Sequence, residues 1–161
     1  MAFERKKYLR ALLAILSVLA ILPASSCRRW WPQSEEIPGT WTIAPETRHF
    51  LPEQTRSAAA TFEFRADGTF TATEIPAEIV FVSTEKSGPL LSGSGTWQLV
   101  SQNVGYVISL SFKKFTLGKP ERIPADTTVL GAEREQGVTR LHYFLDDPDL
   151  GRKVIFTPKS N

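Results

Sequence analysis

The sequence predicts an all-β domain: a small antiparallel meander of about eight strands closing into a barrel, with a β-sandwich as the alternative. From Gly39 onward, apolar and polar residues alternate with a period of two, and no helical period is sustained. Turn residues recur at short intervals and join neighbouring strands mostly through tight connections. A meander joined in this way can close on itself and so remove the exposed edges of a lone sheet. Strands this short would not span a membrane as a barrel, where each needs about 9–11 residues.

The elements follow in order. Gly39 to Ala44 opens the set. Ala60 to Arg65 alternates cleanly, with Phe62 and Phe64 on one face and Glu63 and Arg65 on the other. Ala66-Asp67-Gly68 is a hairpin turn, and Thr69 to Glu74 returns as the partner strand. Ile79 to Ser83 reads either as a strand or as a short helical turn after Pro76. Gly95 to Val100 and Gly105 to Phe112 flank a turn at Gln102-Asn103, with Tyr106, Ile108, Leu110 and Phe112 sharing one face. Thr127 to Glu133 and Val138 to Leu145 form a hairpin around Glu135-Gln136-Gly137. The acidic turn Asp146 to Gly151 leads into Lys153 to Thr157. Longer connections at Pro45 to Ser57, Glu85 to Ser92 and Phe115 to Asp126 break the regularity, either as carriers of function or as tolerated insertions.

The segment ahead of the strands has a different chemistry. Arg5, Lys6, Lys7 and Arg10 form a positive region, and Ala11 to Leu22 is an apolar run of 12 residues interrupted only by Ser17. A spanning helix needs about 20 residues, so the run suits an export signal. Ala24, Ser25 and Ser26 are the small residues a signal peptidase accepts, and Cys27 follows them directly. Leu22-Pro23-Ala24-Ser25-Ser26-Cys27 resembles a bacterial lipobox, in which a thiol accepts diacylglycerol; Ala24 stands where Leu is commoner. The resemblance implies lipidation at Cys27. The alternatives are simple cleavage near Ser26 and an uncleaved anchor. This gives a signal peptide over 1–26, a lipid-attached tether over 27–37 and a barrel domain over 38–161, on an extracytoplasmic protein anchored to a bacterial membrane.

Loss of the leader changes the charge. The 19 basic and 17 acidic residues become 15 and 16, because Arg5, Lys6, Lys7, Arg10 and Glu4 go, and the net charge moves from +2 to −1. No clustered basic face remains to bind nucleic acid. Arg28-Arg29-Trp30-Trp31-Pro32 then reads either as an interfacial anchor, with Arg for anionic head groups and Trp for the membrane boundary, or as a tether packed on the domain.

Gly39-Thr40-Trp41 resembles the Gly-x-Trp signature that opens the first strand of lipocalins. That resemblance implies a Trp packed across the closed end of a lipocalin-like barrel and a late-strand Arg beside it, for which Arg140 is the positional candidate. Gly-Thr-aromatic recurs at Gly68 and Gly95, where it reads as turns feeding strands rather than as a repeat. The wider pattern joins Pro38 to Trp41, Phe64 with Asp67 to Thr73 and Pro76, Gly95 to Leu99, and Tyr143-Phe144 with Asp147 to Gly151. It resembles a family of bacterial lipoproteins of unknown function, which implies an envelope location and supplies no activity.

The chemistry-bearing residues are few. One Cys excludes an intramolecular disulfide, and two His with scattered acids form no recognisable metal or triad motif, so no cofactor, metal or catalytic residue is expected. The leading expectation is a non-catalytic binding module for an apolar or amphipathic small molecule, because a small barrel can enclose one ligand. Trp41, Trp97, Tyr106, Arg140 and His142 are the candidate ligand-binding residues. Arg140 and His142 share a face, and they point outward if Leu141, Tyr143 and Leu145 make the core face. The alternative function is a structural or interaction lipoprotein that contacts another envelope protein through its loops.

Overall fold

The computed structural model describes residues 31–80, 90–103, 105–117 and 127–159. The leader, Cys27 and the longer parts of two connections lie outside these residues. Eight strands run in chain order: β1 (Gly39–Ile43), β2 (Thr61–Phe64), β3 (Thr69–Pro76), β4 (Leu90–Gln102), β5 (Gly105–Leu117), β6 (Thr127–Glu135), β7 (Val138–Phe144) and β8 (Lys153–Pro158). Each pairs antiparallel with its neighbour in sequence. β8 pairs back to β1 through Thr42↔Thr157 and Ile43↔Phe156, so the sheet is a closed barrel and the sandwich alternative falls.

Several boundaries move. β4 and β5 are each 13 residues, longer than the alternation suggested. Ser92-Gly93-Ser94, which looked like a flexible approach, is part of β4 and pairs with 114–116 of β5. The ambiguous stretch after Pro76 begins as a single helical turn, Ala77–Val80, with Ala77, Ile79 and Val80 buried; the rest of it lies outside the described residues. Gly95 is drawn tight into the sheet: a Cβ there would lie 2.0 Å from the carbonyl oxygen of Ser111, beside the register shift between Ser94 and Gly95. That contact is why glycine sits mid-strand.

The meander defines two ends. The hairpin end holds the start of β1, the turn at 65–68, the β4–β5 turn, the two-residue turn at Gln136-Gly137 and the finish of β8. Gly68 (φ 80°), Gln136 (φ 51°) and Gly137 (φ 86°) take the left-handed conformations that tight hairpins need. The loop end holds the four other connections. Residues 44–60 form the longest fully described one and fold as a 3-10 segment, Pro45–Phe50, followed by turns.

The interior is apolar and ring-packed. Trp41, Phe62, Phe64, Phe70, Phe112 and Phe156 are all at most 2% exposed. Phe70 meets Phe112 edge-on at 4.8 Å between centroids, and Phe62 meets Phe156 at 5.3 Å and Phe64 at 5.7 Å. These separations are those of rings in direct contact, so the aromatic side chains fill this part of the barrel themselves.

Candidate binding groove at the hairpin end

The hairpin end is closed by the chain that precedes β1. Ser34–Glu36 forms a short 3-10 turn that brings Ile37, fully buried, to the end of the barrel. Trp41 Nε1 donates to the Ile37 carbonyl at 2.8 Å. Glu36 accepts from Arg134 Nη1 at 2.6 Å and from Thr139 Oγ1, tying this turn to β6 and β7. Partial burial works against the Glu36 charge. The hydrogen bonds from Thr139 and Gln33 N and the Arg134 charge outweigh it and hold the carboxyl below its ordinary range.

Beside this closure lies a groove of about 490 Å³, lined by Trp31, Gln102, Gly105, Tyr106, Val107, Ala132, Glu133, Arg134, His142 and Phe144. It sits where the β5–β6 ladder stops at Tyr106↔Ala132 while β6 continues with β7 to Glu135↔Val138. The side chains therefore come from both faces of the sheet. Tyr106, Ala132 and Arg134 belong to the inward set, and Val107, Glu133, His142 and Phe144 to the outer wall. Trp31, 56% exposed, lies against Tyr106 with centroids 5.7 Å apart and planes tilted by 40°.

His142 is seated by a glycine. A Cβ on Gly131, its cross-strand partner, would lie 2.2 Å from His142 Nε2, so the ring occupies the space that a side chain would fill. Phe144 meets the ring edge-on at 5.1 Å. Lys153 Nζ donates to Glu133 Oε1 at 2.9 Å, bridging β8 to β6 across β7. His142 Nδ1 is buried without a hydrogen-bond partner, and Glu133 Oε1 stands 3.7 Å away, beyond hydrogen-bond range. Burial lowers the His142 pKa; the Glu133 charge opposes this and the Lys153 charge adds to it. Burial therefore favours the uncharged form of the ring. It also lacks the carboxylate hydrogen bond that orients a general base.

The five sequence candidates separate. Tyr106 and His142 come together in the groove. Trp41 is core, 1% exposed. Trp97 Nε1 donates to Arg65 O at 2.9 Å, and its ring packs edge-on against Phe64, clamping the β2–β3 turn. Arg140 stands on the outer wall with Glu135 Oε2 at 2.7 Å, on the opposite face of the sheet from Trp41. The arginine that serves the closed end is Arg134, through Glu36. Alternation along β7 does put Leu141 inside and His142 outside, as its apolar face suggested. Sequence reasoning missed Glu133, Arg134 and Phe144. A lone glycine inside the alternating run of β6, Gly131, was the available signal, because such a residue marks a close approach.

At the acidic turn, Asp147 caps the Pro148–Leu150 turn by accepting from Asp149 N at 3.0 Å, and Arg152 pairs with Asp146. Among the described residues no group of three His, Cys, Asp or Glu converges to hold a metal ion. No helix among them is long and apolar enough to cross a membrane. Comparison with protein-family models, curated proteins and solved structures finds no match for this chain.

Proposed function

We propose that the protein is a lipid-anchored, non-catalytic binding module of the bacterial envelope, lipocalin-like in build, that holds an amphipathic small molecule in the groove at its hairpin end. The observation that carries this reading is the groove itself: about 490 Å³, mostly apolar, with Trp31 on its rim. Trp31 is four residues beyond Cys27. Fully extended, four residues span at most about 14 Å, so a diacylglyceryl group on Cys27 keeps the groove near the lipid head groups. The ring-packed interior moves the expected ligand from the lumen to this outer site. Trp31 against Tyr106 supports the reading of the tether as packed on the domain.

Two measurements test the proposal. Cys27→Ala is expected to release the protein from membranes; retention at wild-type levels overturns the lipid anchor. Native mass spectrometry of protein extracted in mild detergent is expected to show a retained amphiphile, lost when Val107→Trp fills the groove. Undiminished retention in that variant overturns the groove as the site.

The filled interior and the tied-down loop end favour a second reading, an interaction lipoprotein without a ligand. In-cell crosslinking from residues 45–57 to one reproducible envelope protein, with no retained amphiphile, selects it.

A further inference from the structure

We propose that the groove recognises an alkylated ammonium group, the cationic head of an amphipathic molecule. This rests on the groove being the binding site and names the chemistry it selects. Three aromatic side chains line it: Trp31 and Tyr106, whose rings open at 40° to one another, and Phe144 on the outer wall. Aromatic faces carry negative quadrupole potential and attract a cation that sheds water easily, as an alkylated ammonium does.

The charges in the groove fit the same partner. Glu133 supplies a carboxylate to the lining, and both of its close contacts, Lys153 Nζ and His142 Nδ1, are made through Oε1. Its carboxylate brings negative charge to the wall that a bound cation would meet. The one guanidinium in the lining, Arg134, is engaged by Glu36 at 2.6 Å on the barrel-end side. It therefore offers little to an anionic head group. His142 is the remaining ionisable group of the lining apart from Tyr106, and its burial disfavours the charged form and so the repulsion it would give a cation. An anion would find Glu133 in the lining and the two neighbouring cations, Arg134 and Lys153, each already paired with a carboxylate.

The test compares choline with its neutral carbon isostere, 3,3-dimethylbutan-1-ol, by titration calorimetry on the mature full-length protein in non-ionic detergent. Choline is expected to bind at least fivefold more tightly. Trp31→Ala is expected to weaken choline about tenfold, with Trp31→Phe restoring most of the loss, and Glu133→Gln to weaken choline several-fold while leaving the isostere unchanged. Equal or tighter binding of the isostere overturns the cationic class but leaves an amphiphile-binding groove standing. Binding of neither, together with no retained amphiphile in mass spectrometry, overturns both. A final arm identifies the source of the cation. Dihexanoyl-phosphatidylcholine binding more tightly than choline, with dihexanoyl-phosphatidylglycerol not binding, assigns a lipid head group. Choline binding the more tightly of the two assigns a soluble cation.

Discussion

The two ends of the barrel are closed by different means. At the hairpin end the turns are tight, and closure comes from the segment before β1: Ile37 is buried there, and the Glu36 carboxylate is held by Arg134 and Thr139. At the loop end closure comes from connections after the strands. Leu51, Ala58, Ala60, Ile79 and Val80 are buried there. Arginine side chains hold the 44–60 connection by donating to backbone carbonyls, Arg48 to Arg56 and Ala58, and Arg56 to His49 and Leu51. Thr47 Oγ1 accepts from Ile155 N and fixes the 3-10 segment to β8. The lesson is one of independence. At the loop end the 44–60 connection is held mostly by its own arginines, with ties to β8 at Thr47 and to β3 at Ala59, and can loosen locally, whereas the hairpin end is sewn across β6 and β7 and shares the stability of the barrel.

The largest expected effect lies between the ends, in the rings common to both. Phe70→Ala removes a fully buried ring that contacts Phe62, Phe64 and Phe112. It should cost about 3–5 kcal/mol in denaturant unfolding, from lost transfer energy plus an unfilled cavity. A cost below about 1 kcal/mol would mean that the interior is not packed as described. Gly95→Ala comes next. Its Cβ collides with backbone, the Ser111 carbonyl oxygen and the Phe112 Cα, so β4 and β5 must separate. The expected cost is about 1–3 kcal/mol.

Much of the barrel was legible because a half-buried strand writes its faces into alternate residues. Phe62 and Phe64, the Tyr106-to-Phe112 face, and Leu141 inside against His142 outside all follow from period two. The length of β4 and β5 was not legible. Ser92-Gly93-Ser94 has the composition of a loop, and only its pairing with β5 makes it a strand. The groove was half legible. Tyr106 and His142 were found by residue type, but Glu133 and Arg134 line the groove where the β5–β6 ladder ends, a long-range fact whose local trace is Gly131 inside the alternating run of β6. Arg140 was the positional candidate for the neighbour of Trp41 that the lipocalin resemblance implied, but the face it shares with His142 points outward, as the apolar Leu141 face suggested, and it pairs with Glu135 there.

The two ends should part under acid and under truncation. Glu36→Gln removes the charge that Arg134 and Thr139 hold and should cost about 1 kcal/mol of global stability, a modest value because the pair is partly exposed. The sign of the pH dependence follows from linkage. The folded carboxyl is depressed below the 4.5 of an unperturbed glutamate. Its stabilisation is therefore full above the unfolded value and is lost as pH falls through the folded one. Glu36→Gln should flatten the acid limb of the stability curve, and an unchanged limb would show that Glu36 does not lock this end. Arg48→Ala should instead act locally. It should raise proteolysis and hydrogen exchange within 44–60, while global unfolding shifts by about 1 kcal/mol or less. A global loss larger than that of Glu36→Gln would break the contrast between the ends.

The smallest expected effect on stability is also the most specific to the groove. Gly131→Ala places a Cβ 2.2 Å from His142 Nε2, nearly as close as the 2.0 Å collision at Gly95. The obstacle differs in kind. At Gly95 it is main chain in a ladder; at Gly131 it is a side-chain ring on the outer wall, free of hydrogen bonds at Nδ1. Rotating the imidazole breaks no ladder bond, so Gly131→Ala should cost under about 1 kcal/mol, well below Gly95→Ala. It should nevertheless expel His142 from its seat toward water. The depressed His142 pKa should then rise toward its ordinary 6.5, read from the pH dependence of its ring resonances. Wild-type stability should fall as pH drops from that unfolded value toward the lower folded one, and the variant should lose this dependence. A large destabilisation with an unmoved His142 titration would show that the ring is locked in the wall, and that the groove is as rigid as the barrel's interior.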